Sequence, residues 1–552
     1  MTDEPIIRAH SSYQSFNERF LTYPPTLTSA SSPDEQPYNR QYYNVYKARL
    51  DEMKPKCLLT FQNKHGQKQN NDTAIVPRII ELQEDIDSFM VGTVIKVCPK
   101  KPKLNFDTNQ NYHESGLSYL GTPYDEETEN NSSGVEPPLA GTTFCNVSSD
   151  TVLLEDESGR IELSFNFNGK NNQSWKLQLV TGCIMGIKGK IHPGSSLFDV
   201  EEIFYPTLGP HRTLTTNDDN MQVDNNDEAC ILLISGLDCG GPDNMKRNSS
   251  TSLKREMLLD FISGYINNST SQSIARVIIA GGGCTKPIRP STAAKSWSTT
   301  NSSPSSSKKN QDPQQSKNVL QNHMKEMTLP IRELDLFLTE ICSSGVPVDY
   351  IPGLHDPTNA NWPQRPIHEC LVPNANVFTN MLSRTTNPYE ASIGDKVFIG
   401  SDGLNISDLR CNLGQIMHEN GEDEVIAVDT VEALNASLQM NHLVPTGPDS
   451  VPTFPFNTND PFIIENTPDV YFCGNCESFE TKLVDVDVET ENKDECKKNQ
   501  VRLICVPSFS KTGQVVMLKL NSLECEVIEF DDVVADNVTD EKDDIDDEKK
   551  IE

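Results

Sequence analysis

Residues 230–244 read CILLISGLDCGGPDN. Four apolar residues in a row, Ile231 to Ile234, run into Ser235-Gly236-Leu237-Asp238 and then a glycine pair. A short, unbroken apolar run that ends in a small-residue turn is the pattern of a strand buried on both faces, delivering a loop to the carboxyl edge of a sheet. Open α/β sheets place their sites at that edge. This loop is poor in the side chains that catalysis requires, so a role in holding partners is expected over a role in chemistry.

Downstream the pattern alternates. A helix is expected over about 253–266, with Leu258, Phe261, Ile262 and Tyr265 on one stripe. A strand follows at 276–280, then a helix at 330–343 with Ile331, Leu334, Phe337, Leu338 and Ile341 inward, then a strand at 346–351. Such alternation implies a mainly parallel sheet with helices on its faces. The C-terminal part returns to strands at 397–400, 470–473, 501–506, 515–520 and 525–530. The last three are spaced like successive hairpin strands that add a second sheet.

Upstream, 88–205 reads as a small β-barrel. Residues 89–97 (FMVGTVIKV), a hairpin over 152–165 with a Ser158-Gly159 turn, and the runs 180–191 and 197–204 supply short strands. The glycines at 182, 186 and 189 suit the bends of a closed barrel, and an OB-fold is the natural candidate. OB-folds can bind single strands through stacked aromatics and a basic groove. These strands carry few aromatics, and the hairpin carries Glu155, Asp156 and Glu157, so little direct DNA binding is expected. Before the barrel, residues 38–50 (YNRQYYNVYKARL) place Tyr42, Tyr46 and Leu50 on one helix face. That face reads as packing on the barrel, with nucleic-acid stacking as the alternative.

The expected plan has five parts: a flexible N-terminus (1–37), an OB-fold domain with its helix (38–208), an acidic connector (209–228), an α/β domain (229–530) and an acidic tail (531–552). Polar, disordered insertions are expected at about 103–139 and 285–317. The second holds Lys308 and Lys309, read as solvated linker with a weak nuclear-import signal as the alternative.

The 552 residues hold 47 Lys and Arg against 80 Asp and Glu, a net charge of −33. Such a field repels phosphate backbones and suits basic protein surfaces. The N-terminal MTDEPIIRAH has no apolar core and no window reaches membrane-spanning length, so neither secretion nor a membrane span is expected. Fifteen scattered cysteines, an odd number, read as reduced thiols of cytosol or nucleus.

Several long phrases carry a family resemblance: YNRQYYNVYKARL, LEDESGRIEL, LVTGCIMGIKGKI, VDYIPGLHDPTNANWPQRPIHECL, TNPYE, IGSDGLNISDLR, NHLVPTGPD, FPFNTNDPFII and PDVYFCGNCESF. With them the chain resembles the small, non-catalytic B-subunits of replicative DNA polymerases, most closely the delta branch, with the alpha and epsilon branches as alternatives. The resemblance implies an OB-fold joined to a calcineurin-like phosphoesterase domain, a two-sheet sandwich flanked by helices. In active phosphoesterases the strand-end loops read D-x-H, G-D-x-x-D, G-N-H-D/E, a later His and G-H-x-H. Matched by position, the first motif falls on Gly236 and Asp238, and the second on Gly282 and Thr285. The third falls on Leu354 and His355, with Asp356 retained. The later His is met by His442, and the last motif by Asn475 and Glu477.

A two-metal centre holds its cations about 3.5–4 Å apart. Two positive charges that close require a bridging carboxylate, and Gly282 has no side chain. A pseudoenzyme with no catalytic residues, no cofactor and no metal is therefore expected; a weak Mg²⁺ on Asp238 and Glu477, and an active metallophosphoesterase or 3′–5′ exonuclease, are the alternatives. Cys473 and Cys476 form a lone C-x-x-C, read as structural thiols because zinc asks for four ligands and a redox pair for a helix start.

The resemblance further implies a scaffold of DNA replication and repair in the nucleus. Its expected partners are the polymerase delta catalytic subunit, through its C-terminal cysteine-rich domain, and a third accessory subunit that links to the sliding clamp. The polymerase zeta catalytic subunit, which acts in translesion synthesis, is a further candidate. The aromatic helix at 38–50 and Trp362 are candidate anchors, Trp362 being equally a candidate for the core.

Overall fold

The computed structural model describes residues 8–9, 11–21, 42–65, 73–101, 143–167, 170–212, 229–240, 247–285, 313–419, 422–456, 459–489 and 496–531. The insertion at 103–139 and the tail beyond 531 lie outside the described residues, as do 213–228 of the connector and 286–312 of the second insertion.

The N-terminal stretch contradicts the expectation of a flexible 1–37 at one place. Residues 13–15 form β1 (Tyr13–Ser15), which pairs antiparallel with a strand at 389–393. The reason is burial: Phe20 is enclosed, Arg19 pairs with Glu390 at 2.7 Å, and Tyr13 lies 3.8 Å from the Arg276 guanidinium. The expected aromatic helix is also longer than its aromatic part. It is α1 (Tyr43–His65), and its buried side is Val45, Arg49, Met53, Cys57 and Phe61, with Tyr43 60% exposed.

The barrel comprises β2 (Ser88–Val97), β3 (Thr151–Glu155), β4 (Arg160–Ser164), β5 (Ile184–Ile191) and β6 (Leu197–Phe204). The order is β2-β3-β4-β6-β5, and β5 pairs back onto β2. The β4–β6 contact is parallel and the others antiparallel. Five strands closed in that order make the Greek-key barrel of an OB-fold. Gly189 is required where β5 bends, because a Cβ there collides with the Asp199 carbonyl oxygen.

The larger module stacks two six-stranded sheets. The first uses β7 (Cys230–Ile234), β8 (Ile274–Ala280), β9 (Val348–Ile351) and β10 (Leu382–Arg384), all parallel. Two helices, α2 (Arg247–Ser263) and α3 (Pro313–Ser343), make the crossovers. The second sheet uses β11 (Tyr389–Ile393), β12 (Lys396–Ser401), β13 (Val470–Cys476), β14 (Glu480–Glu489) and β15 (Cys496–Pro507), in the order β1-β11-β12-β13-β15-β14. Between β12 and β13 come α4 (Leu404–Asn412) and α5 (Thr430–Gln439). The hairpin β16 (Gln514–Lys519) and β17 (Cys525–Glu529) then returns to the first sheet beside β7.

The opening apolar run now has its explanation. Ile231 and Leu233 pack between the sheets, while Leu232 and Ile234 pack under the helices. With both faces buried, the period-two signal disappears. The second sheet's far face carries Ile399, Tyr471 and Leu503, which share one core with α4, α5 and the barrel.

Three expectations are corrected. The last three strands are not one meander: β15 belongs to the second sheet and β16–β17 extend the first. Tyr265 is 85% exposed, because α2 ends at Ser263 and Gly264 takes φ +90°, the left-handed turn that ends helices. Residues 313–317 of the expected linker begin α3.

A buried polar bridge ties the two sheets. Arg276 on β8 donates to Asp349 on β9 at 2.6 Å, and Tyr389 Oη of β11 donates to the same carboxylate at 2.7 Å. Tyr389→Phe removes a donor from a fully enclosed carboxylate and should lower stability by about 1–3 kcal/mol. Urea unfolding measures it; an unchanged midpoint sinks the bridge as a stabilising contact.

Candidate functional site at the carboxyl edge of the first sheet

The loops after β7, β8, β9 and β13 converge at the carboxyl edge. The parallel ladder between β7 and β8 continues through them: Gly236 N–H donates to Gly281 O at 3.0 Å, Asp238 N–H to Gly282 O at 3.0 Å, and Cys239 N–H to Gly283 O at 2.9 Å. Thr285 closes the run with its N–H on Cys239 O at 3.0 Å. From the second sheet, Asn475 (φ +54°) caps the loops. Its Nδ2 donates to Asp402 O at 2.9 Å, and its N–H donates to Ser235 Oγ at 2.8 Å.

The glycines are where these backbones touch. A Cβ on Gly282 (φ +68°) meets Asn475 Oδ1 at 2.5 Å and Gly236 Cα at 2.8 Å. One on Gly236 meets the Ser508 hydroxyl and, at 2.9 Å, Asn475 Oδ1. Backbone and an amide thus fill the space where these loops meet.

The surviving polar residues have other partners. Asp238, at φ +47°, accepts from Ser510 Oγ at 2.5 Å. Burial pushes its carboxyl up, against the Ser510 bond and the nearby Lys511 and His355. Asp356 accepts the N–H groups of Gly353 at 2.7 Å and Cys284 at 2.8 Å. Asp402, at the end of β12, accepts from Asn387 Nδ2 at 2.9 Å, and burial pushes it up to about 6. Leu354 and His355 are half-buried on the loop after β9.

Two matched residues have their polar partners elsewhere. Glu477 is exposed and pairs with Arg410 at 3.3 Å. His442 is enclosed among Asp460, Val444 and Phe462. Both of its ring nitrogens are taken: Nδ1 accepts from Val444 N–H at 3.1 Å, so Nε2 carries the proton and donates to Asp460 at 2.9 Å. Asp460 in turn pairs with Arg49 at 2.7 Å, and Arg49 also donates to the carbonyls of Gly182, Pro445 and Gly447. This buried hub joins α1, the barrel and the sandwich.

The hub sets an acid sensitivity. Burial first, and Arg49 second, push the His442 imidazole down to about 4, outweighing the pull of Asp460. An unfolded histidine titrates near ~6.5. Between those values the unfolded chain takes up a proton that the folded chain refuses, so this contribution is present above about pH 6.5 and is lost as pH falls towards 4. Ring nitrogen shifts at about pH 5 should remain those of neutral imidazole; an imidazolium signal there rejects the assignment.

Motif and period do not point to Arg49, Asp460, Asp402 or Cys505. Arg49 leaves a trace, since it interrupts the i, i+4 stripe Val45–Met53–Cys57 at a position where an apolar residue is expected. Trp362, a candidate anchor, is fully buried and packs 6.5 Å from Phe462.

Comparison with known proteins agrees with this two-module architecture. A family described as "DNA polymerase delta subunit OB-fold domain" matches residues 41–203, and the family of the B subunit of DNA polymerases alpha and epsilon matches 231–481. By these two matches the chain is similar to the B-subunit family of replicative DNA polymerases. Full-length relatives within this family include the DNA polymerase delta small subunit of Oryza sativa subsp. japonica, 28% identical over 95% of this chain and 98% of that protein. DNA polymerase delta subunit 2 of Drosophila melanogaster is 27% identical over 89% and 94%, and the small subunit of Saccharomyces cerevisiae 25% over 90% and 90%. The first family match ends within β6 of the barrel, and the second begins inside β7 and takes in all four loops. No helix among the described residues is long and apolar enough to cross a membrane.

Proposed function

We propose that this chain is the accessory B-subunit of DNA polymerase delta and works as a scaffold. The observation that carries the reading is its likeness, along nearly its whole length, to proteins named as the polymerase delta small subunit. The larger module is read as a calcineurin-like phosphoesterase fold that has lost its chemistry. What supports the loss is the packing at the loops: glycine backbones and the Asn475 amide occupy the centre, and Asp356 and Asp402 are held by N–H groups.

A scaffold needs two modules that move as one, and the shared core with the Arg49 hub supports that. Its partners are read as the C-terminal cysteine-rich domain of the catalytic subunit, a third accessory subunit that reaches the sliding clamp, and the polymerase zeta catalytic subunit in translesion synthesis, with the complex in the nucleus. With Trp362 buried, exposed Tyr42 and Tyr43 of the aromatic stretch remain as candidate contacts. The decisive experiment is co-purification: the full chain should retain the polymerase catalytic subunit through that cysteine-rich domain. Failure to retain it, or manganese-dependent phosphodiester cleavage that follows the chain through every column, overturns the reading.

A further inference from the structure

The C-x-x-C at the end of β13 has a third member that spacing does not reveal. Cys505 on β15 is the parallel pairing partner of Cys473, so their side chains stand on the same face. Cys473 Sγ lies 3.5 Å from Cys476 Sγ and 3.9 Å from Cys505 Sγ, and all three sulfurs fall within 4.8 Å of one another. A tetrahedral cation with bonds of about 2.3 Å to sulfur separates its thiolates by roughly 3.8 Å. The observed spacing therefore suits one ion at the centre of the triangle without moving the strands.

We infer that Cys473, Cys476 and Cys505 form a binding site for a single thiophilic d¹⁰ cation of the Zn²⁺ class. Soft thiolates select such ions over Mg²⁺ or Ca²⁺. Glu480, the pairing partner of Cys505 on the next strand, is the candidate fourth ligand; its carboxylate accepts Val431 N–H at 2.9 Å and would turn from it to reach the ion. Three thiolates, the Glu480 carboxylate and a dication leave two negative charges, and Arg410, near enough to Cys505 to act on its charge, offsets one of them. The site lies behind Gly474 and Asn475, and an ion there braces the turn from which Asn475 caps the strand-end loops. It is separate from the lost two-metal centre and does not depend on the scaffold reading.

The test uses the reduced, chelator-treated full chain and Cd²⁺ as probe. Thiolate-to-cadmium charge-transfer absorption should saturate at one equivalent. Cys473→Ser and Cys505→Ser should each weaken binding at least tenfold, Glu480→Gln less, and Cys370→Ser, at an exposed thiol, not at all. Should the buried-cysteine variants fail to fold, X-ray absorption on the unaltered chain loaded with one equivalent of Zn²⁺ decides. Three sulfurs at about 2.3 Å support the site. A shell of nitrogen and oxygen alone, or binding undiminished in a folded Cys505→Ser chain, overturns it and leaves three packed thiols.

Discussion

Asp460→Ala should cost about 3–5 kcal/mol of stability, because it strands a guanidinium that is 1% exposed. Arg49 would keep its three carbonyl acceptors but lose the one anion that neutralises it. His442 would lose the acceptor for its Nε2 proton as well. Since the three carbonyls come from the barrel and from the loop after α5, the loss should reach both modules. A urea series followed by fluorescence of buried Trp362 reads it out. Arg49→Met alone should be milder than Asp460→Ala, since removing the cation leaves an anion that still accepts from His442 and the Phe462 N–H. A change of under about 1 kcal/mol for Asp460→Ala would show that the pair is solvated in practice and would end the argument for a rigid hub.

Placing a carboxylate at 282, the position read from the motif as the metal bridge, should fail to create a metal site, and at a large cost. Gly282→Asp places a Cβ against Asn475 Oδ1 and the Gly236 Cα, at a φ of +68° that side chains disfavour. The left-handed backbone contributes about 1–2 kcal/mol and the overpacking about 1–3 kcal/mol, so a loss of roughly 2–5 kcal/mol is expected. Gly394→Ala separates the two terms. Gly394 has φ +63° but nothing within 4 Å of its Cβ, so that change should show the backbone cost alone. No manganese-dependent hydrolysis of a chromogenic phosphodiester should appear in the Gly282→Asp chain. A stable variant that gained such activity would mean that the loops open readily, and that the packed centre is one conformation among several.

Much of the architecture was legible because it is written in short windows. The apolar run at 231–234, the helix stripe Leu334–Phe337–Leu338–Ile341 and the Ser158-Gly159 hairpin each carry their own period, and each emerged as read. The N-terminal strand did not, because three polar-flanked residues acquire strand character only by pairing with β11 about 380 residues away. Strand β14 is absent from the sequence reading although its own window carries the period-two signal. Its alternation of apolar and acidic residues, TKLVDVDVE, is the pattern of an edge strand with one solvated face.

The residues of the candidate site divide the same way. The amino-acid order alone established that no side chain stands at 236 or 282, and hence that no carboxylate bridges there. Only the tertiary structure decided what stands in its place, because contacts of Asn475, Ser508 and Asp402 with these loops arise where separate strands end together. The same holds for His442, matched by motif yet bound to Asp460 and Arg49 at the junction of the modules. It holds again for Cys505, which joins Cys473 only through strand register. Periodicity is a property of neighbours along the chain and survives in one dimension. Register, sheet membership and the company that a buried polar group keeps are set by which distant segments pack together.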